Sequence, residues 1–152
     1  MKKLLAFAVA VAVLGACSSI KPYPNSYAKN VRIITRTDSS FLSRVRTAVD
    51  VYRVDNTCNS TYQGTVQLRS PSTLLGLPYD QPVYLAFVFE GSSFLANSQS
   101  SITYETMFRP EPDSQYEFEV SYTDKIYGVQ MRKALAEGNG WTDVDSQPIV
   151  DC

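Results

Sequence analysis

In Tyr116-Glu117-Phe118-Glu119-Val120-Ser121-Tyr122 every second residue is apolar or aromatic. A strand has a side-chain period of two, so Tyr116, Phe118, Val120 and Tyr122 share one face, and Glu117, Glu119 and Ser121 share the other. That is the pattern of a half-buried antiparallel strand. Just before it, Pro110-Glu111-Pro112-Asp113-Ser114 predicts a turn, because proline fixes φ and the Asp and Ser side chains bond nearby backbone. Residues 31–37 and 48–54 are rich in β-branched side chains, 65–69 follow Gly64, and 83–90 are almost continuously apolar and aromatic, as in a central strand. Residues 101–109 and 126–133 complete the long strands, and 141–144 pair back through the turn Glu137-Gly138-Asn139-Gly140.

Residues 131–137 carry helix-favouring Arg, Lys, Ala, Leu and Glu ahead of Gly138, and are read as a strand ending in a turn, with a capped helix as the alternative. About eight short strands separated by turn signals predict an all-β fold: a small antiparallel two-sheet β-sandwich, immunoglobulin-like or transthyretin-like. Two longer connections interrupt the pattern. Residues 91–100 are rich in serine. Residues 70–81 hold Leu74, Leu75 and Leu77, which either plug one end of the sandwich, the commoner outcome, or form an exposed apolar loop for a partner.

The beginning of the chain follows a different rule. Lys2 and Lys3 precede an unbroken apolar run from Leu4 to Leu14. At about eleven residues the run is shorter than the roughly 20 needed to span a bilayer as a helix. It reads as a secretory signal. The run ends in Leu14-Gly15-Ala16-Cys17, which resembles the lipobox of bacterial lipoproteins. The resemblance implies that residues 1–16 are removed as a signal peptide and that Cys17 becomes the lipidated first residue, thioether-linked to diacylglycerol and acylated on its amino group. Ser18 in the following position implies the outer membrane rather than retention in the inner one, facing the periplasm or the cell surface. Residues 17–30, with Pro22, Pro24, Asn25 and Ser26, read as the lipidated cysteine and a flexible tether, and residues 31–152 as the domain.

Lipidation changes the cysteine count. With Cys17 consumed, Cys58 and Cys152 remain as an even pair in an exported protein, and a disulfide between them is expected. Loss of residues 1–16 also removes two lysines and no acid, moving the formal charge from −1 to −3. No basic run is present, so nucleic acid is a poor candidate partner.

The protein contains no histidine. This removes Ser-His-Asp and Cys-His catalysis and His-ligated zinc, and no phosphate loop or nucleophile elbow is present. No catalytic residue, metal or cofactor is therefore expected. Carboxylates remain, since a glycosidase needs only two at a suitable separation. Glu117 and Glu119 share a strand face, with Glu90 and Glu105 on other strands, but such acids ordinarily form a solvated face that also blunts sheet edges. Asp38, Asp50 and Asp55 lack calcium-loop spacing. Strand tyrosines 104, 116, 122 and 127, with Tyr23, Tyr27 and Tyr79 in linker or loop, could stack on sugars or form an interface, though in a small sandwich they are more often core and rim. The leading expectation is a non-enzymatic envelope lipoprotein that binds another protein as part of an envelope assembly. The alternatives are a glycan- or peptidoglycan-binding module and, behind it, a carboxylate-dependent glycan hydrolase.

Overall fold

The computed structural model describes residues 20–37, 43–79, 81–93, 98–124, 126–135 and 140–145. Residues 1–19, Cys17 and the segment read as a signal among them, and Cys152 lie outside the described residues. Nine strands follow in chain order: β1 (Val31–Thr37), β2 (Ser43–Val54), β3 (Ser60–Gln67), β4 (Ser72–Leu75), β5 (Val83–Ser93), β6 (Ser98–Phe108), β7 (Tyr116–Thr123), β8 (Ile126–Ala134) and β9 (Trp141–Val144). They form two sheets, of order β4-β1-β7-β8-β9 and β3-β2-β5-β6. The protein is a small all-β sandwich.

All strand pairings are antiparallel except one, the parallel pair β1 and β7, with Val31 opposite Tyr116 and Thr37 opposite Tyr122. In an immunoglobulin constant domain the first two strands share a sheet. Here β1 and β2 lie in opposite sheets, so the strand order differs from that immunoglobulin arrangement.

Period two explains the core. Val31 and Ile33 of β1, Val49 and Val51 of β2, Leu85, Phe87 and Phe89 of β5, and Phe118 and Val120 of β7 all project between the sheets and are buried. Phe87 meets Phe118 across the interface at 5.3 Å between ring centroids, and Phe108 packs edge-on against Phe118 at 5.6 Å. Such aromatic pairs add about 0.5–1.5 kcal/mol beyond the area they bury.

Several expectations are corrected. Strand β2 begins at Ser43 rather than residue 48, because Val45 and Thr47 continue its inward face while Arg46 points outward. Gly64 lies inside β3 instead of preceding a strand; it sits opposite Val51, beside the register shift at Val51/Tyr52, with φ 147°. The 70–81 connection contains β4, paired with β1 from Ser72 to Leu75. The strand expected at 126–133 is present as β8, and 141–144 pair back on it as expected, with Trp141 opposite Ala134; residues 136–139 of the turn between them lie outside the described residues. No helix occurs among the described residues.

The largest correction concerns the tether. From Lys21 onward the segment read as a flexible linker belongs to the domain. The Thr65 amide donates to the Lys21 carbonyl at 2.9 Å and the Tyr23 amide to the Thr65 carbonyl at 3.0 Å, so the segment lies along the edge strand β3. Tyr23 is buried, its hydroxyl donating to the Gly76 carbonyl at 2.9 Å. Burial pushes this phenol's pKa up to about 12. Asn25 accepts from the Gly76 amide at 2.7 Å and donates to the Leu74 carbonyl at 3.2 Å. Asn30, fully buried, donates to the Leu77 carbonyl at 2.9 Å and accepts from the Leu77 amide at 2.8 Å. Polar side chains thus add to the burial of Tyr23 in the core as the fastening, with the buried Tyr23 hydroxyl and Asn30 amide both paired.

Candidate functional site

The outward faces of the two sheets differ in chemistry. On the five-stranded sheet, residues in register fall into a row across every strand: Leu74, Arg32, Glu117, Arg132 and Asp143. Glu117 sits in the middle and is only 3% exposed, with Arg32 at 2.5 Å on one oxygen and Arg132 at 2.5 Å on the other. Glu119, one outward position further along β7, pairs diagonally with Arg36 at 3.3 Å and Arg132 at 3.4 Å. One charge-assisted hydrogen bond, from Arg132 to Glu117 Oε1, and an ion pair with Arg32 at Oε2 balance the Glu117 carboxylate's charge and tie three strands together.

Glu117 was expected on a solvated face. It is instead buried because β7 is the sheet's central strand and arginines from both neighbours fold their guanidinium groups onto its carboxylate. Removing a carboxylate between two arginines leaves like charges facing each other. Glu117→Ala should cost about 2–4 kcal/mol, below the loss for a fully buried pair because Arg32 is exposed. Urea denaturation checks this; a loss under about 1 kcal/mol would mean that the arginines find water instead.

At one end of this face the charges give way to apolar groups. Leu74 is 55% exposed and Trp141 37%, with Leu135 also in solvent. The Arg32 guanidinium lies 5.6 Å from the Trp141 ring centroid. Arg32, Leu74, Gln115, Tyr116, Ala134, Gly140 and Trp141 line an open depression of about 460 Å³. The predicted leucine loop is therefore divided: Leu75 and Leu77 are buried in the core, and Leu74 alone points outward. Their alternation in β4 decides this, since Leu75 pairs with inward Val31 and Leu74 with outward Arg32. Trp141 escaped the sequence reading because nothing local tells that its face lies beside Arg32, two strands removed from its own pairing partner.

On the four-stranded sheet the outward face carries a row of Tyr62, Tyr52, Tyr84 and Met107. Tyr52 lies 5.4 Å from Tyr62 and 5.1 Å from Tyr84 between ring centroids. Tyr84 is buried, and burial together with a hydrogen bond to Glu105 holds its phenol well above the usual tyrosine range. Only Tyr62 of the three rings is exposed. Of the tyrosines singled out from sequence, Tyr116 is core and Tyr104 and Tyr127 pack against it, while Tyr122 stacks on Tyr127 at 4.6 Å.

Beside this row lies a second depression, about 740 Å³, whose lining includes Ile20, Lys21, Arg46, Asp50, Arg69 and Glu90. Among the described residues no group of three or more Asp, Glu, Cys or His is gathered to hold a metal ion. Asp50 accepts a hydrogen bond from the Thr65 hydroxyl. Asp55 is committed to the β2–β3 turn: Thr57 and Asn59 donate to it, and the Thr57 hydroxyl leads in holding its carboxyl below the usual carboxylate range. Asp38 lies outside the described residues.

Cys58 occupies this turn in the left-handed region, φ 63°, with its amide donating to the Asp55 carbonyl at 3.0 Å. Comparison with known proteins found no matching family model, curated protein or solved structure.

Proposed function

We propose that this protein is a lipid-anchored envelope lipoprotein whose sandwich binds another protein through the outer face of the five-stranded sheet. The observation that carries this reading is the pair Leu74 and Trp141 left in solvent on either side of Arg32 in one depression, with Leu135 also exposed against Gly140 at its rim. Protein interfaces are enriched in aromatic residues and arginine, and their binding energy concentrates at such groups inside a shallow depression. The ion pairs around buried Glu117 hold Arg32 in place beside these residues, so less of its side-chain entropy remains to be lost on docking. The anchor supports an envelope setting: Cys17 is the lipid site that the lipobox resemblance implies, with the outer membrane as its address. The chemistry proposed is recognition alone, without catalytic residue, cofactor or metal.

A second reading, binding of glycan or peptidoglycan, draws on the tyrosine row flanked by Asp50 and Glu105. It ranks lower because stacking on sugars needs open ring faces, and of Tyr52, Tyr62 and Tyr84 only Tyr62 is exposed. Photo-crosslinking from position 74 in intact cells discriminates the two. A discrete protein adduct that Trp141→Ala abolishes is the expected result. Absence of any adduct, with the protein retained on peptidoglycan in a manner sensitive to Tyr62→Ala, would replace the first reading by the second.

A further inference from the structure

The docked N-terminal segment shortens the leash between lipid and domain. Lys21 and Tyr23 are hydrogen-bonded to β3, so the chain between Cys17 and the first fastened residue comprises Ser18, Ser19 and Ile20 alone. Three residues from Cys17 to Ile20 reach at most about 11 Å. A free linker through residue 30 would have let the domain tumble about 20 Å from the surface. A leash of this length instead selects which side of the domain meets the bilayer.

Ile20 identifies that side. It is 64% exposed, and it borders the 740 Å³ depression on the outer face of the four-stranded sheet. The same depression presents the cations Lys21, Arg46 and Arg69 and the acids Asp50 and Glu90. A phospholipid headgroup carrying a phosphate and an ammonium has the complementary pair of charges. Arginine and lysine suit the phosphate oxygens, and the carboxylates suit the ammonium. An exposed isoleucine next to the anchor suits the boundary between headgroups and acyl chains.

We propose that the depression lined by Ile20, Lys21, Arg46 and Arg69 rests on the phospholipid headgroups of the membrane that holds Cys17, so that the domain is seated in one orientation. The inference rests on the lipid-anchor reading and goes beyond it. The five-stranded sheet then faces away from the bilayer. This turns Leu74 and Trp141 toward the aqueous space where a partner would approach.

Trp141 is the protein's one tryptophan, and it makes the test direct. The full lipidated protein is reconstituted into vesicles of phosphatidylethanolamine and phosphatidylglycerol containing a headgroup-nitroxide lipid, with lipidation of Cys17 verified by mass spectrometry. Native Trp141 should keep its fluorescence. A Gln67→Trp variant in a Trp141→Phe background should lose most of its fluorescence to the nitroxide, since Gln67 lines the depression. Insertion of twelve Gly/Ser residues between Ser19 and Ile20, combined with Arg46→Gln and Arg69→Gln, should restore that fluorescence while the protein stays membrane-bound. Equal quenching at positions 67 and 141, or quenching at 141 alone, would overturn the orientation with the anchor intact. Lack of lipid on Cys17 in the mature protein would instead defeat the anchor reading, a result read from the mass and not from the fluorescence.

Discussion

Gly76→Ala should destabilise the domain by about 3–5 kcal/mol and release the N-terminal segment. A Cβ built on Gly76 would stand 2.2 Å from the Tyr27 carbonyl oxygen and 2.7 Å from its carbon. Both atoms are backbone, so no side chain can swing aside, and the whole Tyr27-Ala28 stretch must move. That shift breaks the bonds concentrated at this residue, from Tyr23 to the Gly76 carbonyl and from the Gly76 amide to Asn25. A buried phenol and a buried amide would then be left unpaired, each costing about 1–3 kcal/mol. Hydrogen exchange should show the Tyr23 and Thr65 amides losing protection before the core strands do, because those two amides fasten the segment to β3. A variant as stable as the parent, with both amides still protected, would show that the segment is not held through Gly76.

Loss of either cysteine of the proposed Cys58–Cys152 bridge should cost about 2–5 kcal/mol. A loop of roughly 95 residues restricts the unfolded chain strongly, about 4–5 kcal/mol on the chain-entropy account, with native strain subtracting from that. The structure supplies a firm seat at one end. Cys58 lies in a turn pinned by Asp55, which accepts from the Thr57 amide at 2.9 Å and the Asn59 amide at 2.9 Å. Cys152 falls outside the described residues, so the pairing itself is settled by mass spectrometry of the non-reduced mature protein. Two free thiols at these positions would remove the bridge. Unchanged denaturation midpoints for both Cys58→Ser and Cys152→Ser would show that it contributes nothing to stability.

Alternation made most of the strands legible. In β7 each inward residue is apolar or aromatic and the outward residues between them are polar or charged, and a period of two leaves no other element that buries one set and exposes the other. Strand β5 was legible instead as an almost continuous apolar and aromatic run, and β9 from the glycine-containing turn before it. Alternation failed for β4, whose four residues sit beside further apolar positions and read as an apolar loop; only pairing with β1 separates Leu74 from Leu75. It stopped short in β2, which reads as strand only from residue 48 although Val45 and Thr47 continue the inward face with outward Arg46 between them.

What the chain by itself determined is therefore the local alphabet: period-two segments, the turn at residues 110–114, the absence of histidine, and the residues Leu14-Gly15-Ala16-Cys17 on which the lipobox resemblance rests. What only the tertiary structure decided is adjacency. Glu117 looked like a solvent-facing acid until the parallel pairing of β1 with β7 and the hairpin to β8 brought an arginine to each side of it. Residues 21–30 looked like a tether because they have little to bury. They are fastened instead by asparagine and tyrosine side chains to backbone groups 47 to 53 residues further along. Hydrophobic burial leaves a periodic trace in sequence because it acts on each residue through its own side chain. A hydrogen bond to a distant carbonyl leaves none, because every residue carries that carbonyl and only the fold selects which one is in reach.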